Sequence, residues 1–133
     1  QAMTIEIDHI GLSVADFEAA KRFYAAAFAP LRMSVVMEFG KDVTGDQPVA
    51  GLGADGKPCF WISGGGRTSP HTHVAIRAET RAQVDAFHAA ALAAGGTDNG
   101  PPGIRAMYHP NYYGAFVLDA DGHNIEACCH HPE

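Results

Sequence analysis

Apolar and polar positions follow a pattern that predicts a strand, a helix and several further strands, and this pattern occurs twice. The first copy opens with the β-rich segment 5–14, after which Asp16 is placed to cap a helix that ends by Pro30. In the second copy, Thr80 and Gln83 have the spacing of a capping box, and a pair of glycines ends the helix. The shorter β-rich segments predict strands at 33–39, 49–52 and 59–62 and at 104–107, 115–118 and 124–128.

Direct comparison of the chain with itself gives the same division into two copies. Residues 9–28 align with residues 73–92 without a gap, so that His9 matches His73. The two residues before Met3 are set aside, because we expect the native chain to start there. We therefore expect a single domain over 3–133, with module one at 3–63, a glycine-rich linker at 64–70 and module two at 71–130.

Composition and charge exclude several classes of protein. The chain has 133 residues, 47% of them hydrophobic, which suits one folded domain rather than a disordered tail. A net charge of -6 argues against a nucleic-acid groove or a basic membrane surface, so a small-molecule substrate or another protein is the expected partner. The sequence has no apolar run of membrane-helix length, and its three cysteines do not form a disulfide framework. A cytoplasmic protein with reduced thiols is expected.

Two histidines at equivalent places in the repeat are the strongest candidates for chemistry. Alternation along the strands turns His9 and His73 away from the helices, and equivalent residues near a pseudo-twofold axis converge. Glu126, four residues after Gly122, is a charge in an apolar strand and needs a partner. Two imidazoles and one carboxylate suit Fe(II), Mn(II), Ni(II) or Zn(II). The matching residue of module one is Phe60, which cannot ligate, so we expect three ligands and room for substrate beside Phe60.

Further polar residues are candidates for proton transfer and substrate contact, with a packed surface position as the alternative for each. His109 and Tyr113 are the predicted catalytic groups. The predicted substrate contacts are Phe60, Arg77, Arg105, Tyr108 and Tyr112. Among them, either arginine would hold a carboxylate or phosphate.

Four other histidines are expected to lie outside the ligand set. His71 shares a face with His73 but lies at the strand entrance, so we expect it to be solvated or to support a ligand. His123 lies in an Asp-Gly turn and is expected to be exposed. Residues 129–131 are expected to be a frayed tail.

Three motifs, DHIGLSV at 8–14, HVAI at 73–76 and the segment 108–126 that ends in DGHNIE, resemble the vicinal oxygen chelate superfamily. That superfamily includes glyoxalase I, fosfomycin-resistance proteins, extradiol dioxygenases and bleomycin-binding proteins. The resemblance implies an α+β fold in which two tandem βαβββ modules form a cupped, incomplete barrel around a divalent metal, usually in a homodimer. It also implies that the metal is held at the positions of His9, His73 and Glu126.

For function, the resemblance implies an enzyme that chelates two neighbouring oxygens of a small substrate. Lyase or isomerase, thiol-transferase and dioxygenase chemistry all stay open. Glyoxalase I commonly has a fourth ligand, whose place here is Phe60, so glyoxalase I activity is not expected. The alternative is a binding protein of the bleomycin-resistance type that sequesters a flat or cationic compound, which would not need the three ligands together.

Overall fold

The computed structural model describes residues 4–133, so the expected start at Met3 lies outside the described residues. Within them the chain forms eight strands, three α-helices and a short 3-10 turn. In order these are β1 (Ile10–Ser13), α1 (Phe17–Phe28), the 3-10 turn (Ala29–Leu31), β2 (Ser34–Phe39), α2 (Lys41–Thr44), β3 (Val49–Ala54), β4 (Lys57–Ser63), β5 (His73–Arg77), α3 (Arg81–Ala93), β6 (Thr97–Ile104), β7 (Tyr113–Leu118) and β8 (Asn124–Cys129).

The strands form two four-stranded mixed sheets with the same topology. The first sheet has the order β1-β4-β3-β2 and the second the order β5-β8-β7-β6. In each sheet the first and last strands of the module pair in parallel, and the remaining neighbours are antiparallel. Neither sheet closes into a barrel. The predicted α+β architecture of two βαβββ modules is therefore confirmed.

Two strand predictions are corrected. The first strand covers only Ile10–Ser13 rather than 5–14. The strand predicted at 104–107 lies instead at Thr97–Ile104, a segment rich in glycine and proline. Proline removes a hydrogen-bond donor and argues against a central strand, but β6 is the edge strand of its sheet, where prolines are tolerated.

Both predicted helix starts are confirmed. The Asp16 carboxylate accepts a hydrogen bond from the Ala19 N–H, and Thr80 and Gln83 form the complete capping box of α3. Gly95 follows the last turn of α3 with φ of 104°, a conformation that favours glycine. None of the helices in residues 4–133 has the length and apolar character needed to span a membrane.

The helices cover one side of the sheets and form a single core with them. Helix α1 packs on β2, β3 and β4, helix α3 packs on β6, β7 and β8, and the two helices contact each other. At the centre, the ring of Phe60 lies 4.8 Å from that of Tyr24 and 5.2 Å from that of Phe28. The Tyr24 hydroxyl donates to Asp119, and its pKa is raised by burial and by that carboxylate. The two modules therefore share one core, which leaves the opposite side of each sheet free for a site.

Candidate metal centre

The sides of the two sheets that face away from the helices, here called the open faces, carry the candidate ligands. Side chains alternate along a strand, and Ile125 and Ala127 of β8 are buried on the helix side. Glu126, between them, therefore points to the open face of the second sheet, in register with Ala75 of β5. His73 precedes Ala75 by two residues and shares that face.

Glu126 is a buried carboxylate, 1% exposed, with a defined partner at each oxygen. Its Oε1 lies 2.8 Å from His73 Nε2, and its Oε2 accepts a hydrogen bond from the Tyr112 hydroxyl. Gly114 leaves room for this contact, since a Cβ there would lie 3.3 Å from Glu126 Oε2. Burial and the hydrogen bond to Glu126 raise the pKa of Tyr112, which stays a neutral donor. A buried carboxylate oriented by a donor and beside an imidazole is suited to bind a cation.

His9 lies on the open face of module one and is oriented by a neighbouring carboxylate. Its Nδ1 is 2.7 Å from Asp8 Oδ2, so Nδ1 carries the hydrogen and Nε2 is left with a lone pair for a metal. The ring lies edge-on to Trp61, with ring centres 6.5 Å apart. His9 and His73 both line a groove of about 340 Å³ between the modules.

The three predicted ligands do not form one group within a single chain. In residues 4–133, one set of three histidine, cysteine or carboxylate donors lies mutually within 4.8 Å, and it consists of Asp119, Asp121 and His123. His73 and Glu126 are in contact, but His9 is not part of a group with them. One chain therefore brings together two of the three predicted ligands.

The group at Asp119 is a possible ligand set, but its acceptors are already used inside the protein. Asp119 Oδ2 accepts from Tyr24, and Oδ1 accepts from the N–H groups of Asp121 at 2.9 Å and His123 at 2.8 Å. His123 Nδ1 accepts from the Thr72 N–H at 2.9 Å. These bonds hold the turn between β7 and β8. The expectation that His123 is exposed is wrong, because its ring is fully buried.

The residue of module one that corresponds to Glu126 is Trp61, one position after the predicted Phe60. Phe60 is fully buried on the helix side, so it does not contact a substrate on the open face. In module two, Glu126 of β8 pairs in register with Ala75 of β5. The repeat equivalent of Ala75 in module one is Gly11, and Gly11 pairs with Trp61. Trp61 therefore occupies the place of a fourth ligand in module one.

A bulge in the first sheet causes this shift. The pairing of β3 with β4 passes from Leu52 and Phe60 to Gly53 and Pro58, which leaves Cys59 as an extra residue. Gly53 permits the close approach, because a Cβ there would lie 1.8 Å from a backbone oxygen of β4. Glu126 lies four residues after the glycine of its Asp-Gly turn, whereas the corresponding Trp61 lies five residues after the glycine of the first module's turn. A count of four residues therefore reaches Phe60 instead of Trp61.

The two predicted catalytic groups lie in different places. Tyr113 points to the helix side, where its hydroxyl donates to Asp85 of α3 at 2.6 Å. His109 lies on the open face, but its Nδ1 accepts from the Asn111 N–H at 3.1 Å and its Nε2 is 2.8 Å from His130 Nδ1. Neither residue offers a free base to a substrate.

The predicted contacts Tyr108 and Tyr112 lie in a cavity beside Glu126. It has a volume of about 430 Å³ and is lined by His73, Tyr108, His109, Tyr112, Glu126 and His130. The expectation of a frayed tail is wrong for His130, whose ring packs against Tyr112 at 5.2 Å. The spacing of two residues from Glu126 through Cys128 to His130, which directly follows β8, was the available signal for a shared face.

The two arginines predicted to contact substrate differ in their partners. Arg105 donates to the carbonyls of Gly103 at 2.9 Å and Pro101 at 2.7 Å, and it lies over the Phe116 ring. Arg77 lies on the open face of β5 and is exposed. Arg105 therefore supports the edge strand, and Arg77 is the arginine left available to a ligand.

Comparisons with known proteins agree with this geometry. No curated protein matches the chain. A glyoxalase/bleomycin resistance protein from Albidiferax ferrireducens T118 is 28% identical, with coverage of 94% of this chain and 98% of that one and a TM-score of 0.74. FosX, a fosfomycin resistance protein from Listeria monocytogenes in complex with Mn(II) and a sulfate ion, is 19% identical, with coverage of 96% and 93% and a TM-score of 0.68.

A third similar structure has a chain more than twice as long as the matched part. A mutant of glyoxalase I from Zea mays is 19% identical and has a TM-score of 0.70, and the match covers 92% of this chain but 43% of that one. The family model that matches describes the Glyoxalase/Bleomycin resistance protein/Dioxygenase superfamily and covers residues 6–127. With nearly the whole chain matched and the paired βαβββ modules in place, the protein belongs to this superfamily, also called the vicinal oxygen chelate superfamily.

Proposed function

We propose that the protein is a divalent-metal-dependent enzyme that binds two neighbouring oxygens of a small substrate. The observation that carries this proposal is Glu126, a carboxylate almost fully buried on an open face with His73 Nε2 at 2.8 Å from its Oε1. Burying a charge without a compensating cation is costly, so the position suits a metal ligand better than a structural residue. The Mn(II) bound by FosX, a relative of the same fold, is consistent with a metal of this class.

The donor atoms present fit a divalent cation. His73 Nε2 and Glu126 Oε1 are 2.8 Å apart, and two ligands bound at right angles, each about 2.1 Å from one metal, would be about 3 Å apart. Tyr112 holds the second carboxylate oxygen, and Asp8 sets the tautomer of His9. When bound, the cation would supply Lewis-acid stabilisation of negative charge that develops on a substrate oxygen.

The residues around the proposed metal leave coordination positions that a substrate could occupy. Trp61 stands where a fourth protein ligand would be and has no metal-binding group. Tyr108 and Tyr112 line the cavity beside Glu126 in module two. Because His109 and Tyr113 both use their polar atoms in hydrogen bonds within the protein, we do not assign proton transfer to either of them.

The simplest test is metal binding by the purified protein. With Mn(II), Ni(II), Fe(II) or Zn(II) at about 100 times the dissociation constant, stabilisation of about 2.7 kcal/mol is expected, or a rise of about 5–10 °C in Tm. Metal analysis after gel filtration should find one ion for each chain. A protein that stays metal-free, and whose Tm ignores all four ions, would refute the proposal.

We also infer a homodimer in which His9 of the partner subunit completes each site. In one chain His9 is not grouped with His73 and Glu126, and the apolar side chains of Ile5 and Ile7, which lead into β1, are 100% and 80% exposed. Exposed isoleucines next to a ligand indicate a surface that a second copy covers.

Mixing two inactive variants tests this sharing. His9→Ala and Glu126→Ala homodimers each lose both sites, whereas a mixed dimer has one intact site and one doubly defective site. Subunit exchange at equal amounts should therefore restore about a quarter of the wild-type metal sites. The control mixes His73→Ala with Glu126→Ala, which lie on the same side of the site and should restore none. Equal recovery in both mixtures would contradict a shared site.

A second candidate, sequestration of a flat compound, is favoured by the aromatic surface of module one. The rings of Phe39 and Trp61 are nearly parallel, at 9° and 6.4 Å, beside a cavity of about 410 Å³ that Trp61 and His9 line. The metal-binding experiment separates the two functions, because a binding protein of this kind does not need the ions.

A further inference from the structure

A chain of hydrogen bonds on the open face of the second sheet fixes the direction in which one imidazole donates. The backbone N–H of Asn111 is an obligatory donor, so His109 Nδ1 at 3.1 Å is an acceptor and the ring hydrogen lies on Nε2. His109 Nε2–H then donates to His130 Nδ1 at 2.8 Å. His130 Nε2 must therefore carry a hydrogen.

That last hydrogen has only a weak acceptor. His130 Nε2 lies 3.8 Å from Cys128 Sγ, and a thiol is a poor acceptor compared with a carboxylate or phosphate oxygen. His130 is also exposed and forms part of the wall of the cavity beside Glu126. The donor at Nε2 is thus available to an incoming ligand.

A cationic side chain faces the same spot from the neighbouring strand. Arg77 of β5 is in register with Cys128 of β8, on the same open face. In residues 4–133, the salt bridges within 4.0 Å do not include Arg77. The Arg77 guanidinium is therefore available to bind an anionic ligand.

The geometry points to an oxyanion subsite formed by Arg77 and His130 next to Cys128. A guanidinium and an oriented N–H suit a carboxylate or phosphate oxygen. Glu126 precedes Cys128 by two residues along β8, a separation of about 7 Å. Building on the proposed metal function, the substrate class is a compound with two neighbouring oxygens for the metal and an anionic group about 7 Å from them.

A matched pair of probes tests the subsite. The probes are 3,4-dihydroxybenzoate, which carries an anion opposite its two oxygens, and 3,4-dihydroxybenzamide, its neutral counterpart of similar size. Titration calorimetry on metal-free and Zn(II)-loaded protein should give at least about tenfold tighter binding of the acid in both states. Competition by benzoate or by inorganic phosphate distinguishes a carboxylate ligand from a phosphate ligand.

Variants then assign the preference to its residues. Arg77→Met and His130→Leu should each abolish the preference for the acid and leave binding of the amide unchanged. Arg22→Met removes an exposed arginine of α1 and serves as the control, with the preference retained. Equal affinities for acid and amide in the wild type, absence of binding by both, or a preference that survives in both variants would overturn the subsite. Failure of the metal site is seen separately, as absence of bound Zn(II) while the metal-free protein still prefers the acid.

Discussion

Replacing Glu126 by Gln is expected to abolish metal binding while leaving the fold intact. The amide keeps the size of the carboxylate but has no charge to attract the cation. Replacing a residue that only supports a ligand typically lowers metal affinity by about 10- to 100-fold. Because Glu126 is a proposed ligand itself, its replacement should lower the affinity by at least about 100-fold. Without metal, the variant should be at least as stable as the wild type, because a neutral amide is less costly to bury than a carboxylate.

Thermal unfolding with and without Mn(II), together with metal analysis, measures both effects. The wild type should gain stability with the ion and Glu126→Gln should not. Glu79→Gln is the matched control, since Glu79 is an exposed carboxylate that pairs with Arg32 at 3.4 Å, away from the open face. A Glu126→Gln protein that binds Mn(II) as tightly as the wild type would remove this residue from the proposed ligand set.

The fold was predictable because its signals are local and occur twice. Capping residues such as Asp16 and Thr80 act within one helical turn, and the alternation of β1 and β5 places their side chains without reference to the rest of the chain. Edge strand β6 was missed since proline argues against strands in general, and its tolerance there depends on which strand is outermost. Only the tertiary structure determines that position.

The site was predicted less completely, because its details depend on contacts between distant segments. The contact between His73 and Glu126 follows from neighbouring strands in one sheet. The Asp-Gly turn predicts an exposed His123, but the N–H of Thr72, 51 positions away, donates to its ring. Spacing along the chain places His130 on the face of Glu126, but the contact of His130 with His109, 21 residues away, follows only from the tertiary structure.

The correction from Phe60 to Trp61 shows how a local irregularity limits reasoning from a repeat. The two modules match closely, yet one bulged residue, Cys59, moves every later side chain of β4 to the other face relative to a simple count. The error therefore exchanged a core residue for one on the open face. Substitutions at these two neighbouring positions should consequently have opposite outcomes.

Trp61→Glu is expected to fold and to bind a divalent cation more tightly, by about tenfold or more, because it adds a carboxylate at the place that corresponds to Glu126. Loss of the indole contact with Phe39 should cost about 1–2 kcal/mol of stability without metal. Phe60→Glu is expected to lose about 4 kcal/mol or more, since it buries a charge between Tyr24 and Phe28.

Trp61→Gln separates ligation from the loss of packing, because it removes the same aromatic contact and supplies no charge. Calorimetric titration with Mn(II) should give a higher affinity for Trp61→Glu than for the wild type. The affinity of Trp61→Gln should be close to that of the wild type. Urea unfolding should place only Phe60→Glu far below the wild type in stability. If Trp61→Glu binds Mn(II) no more tightly than Trp61→Gln does, position 61 does not face the metal. Trp61 and Glu126 would then be equivalent in strand register but not in metal binding.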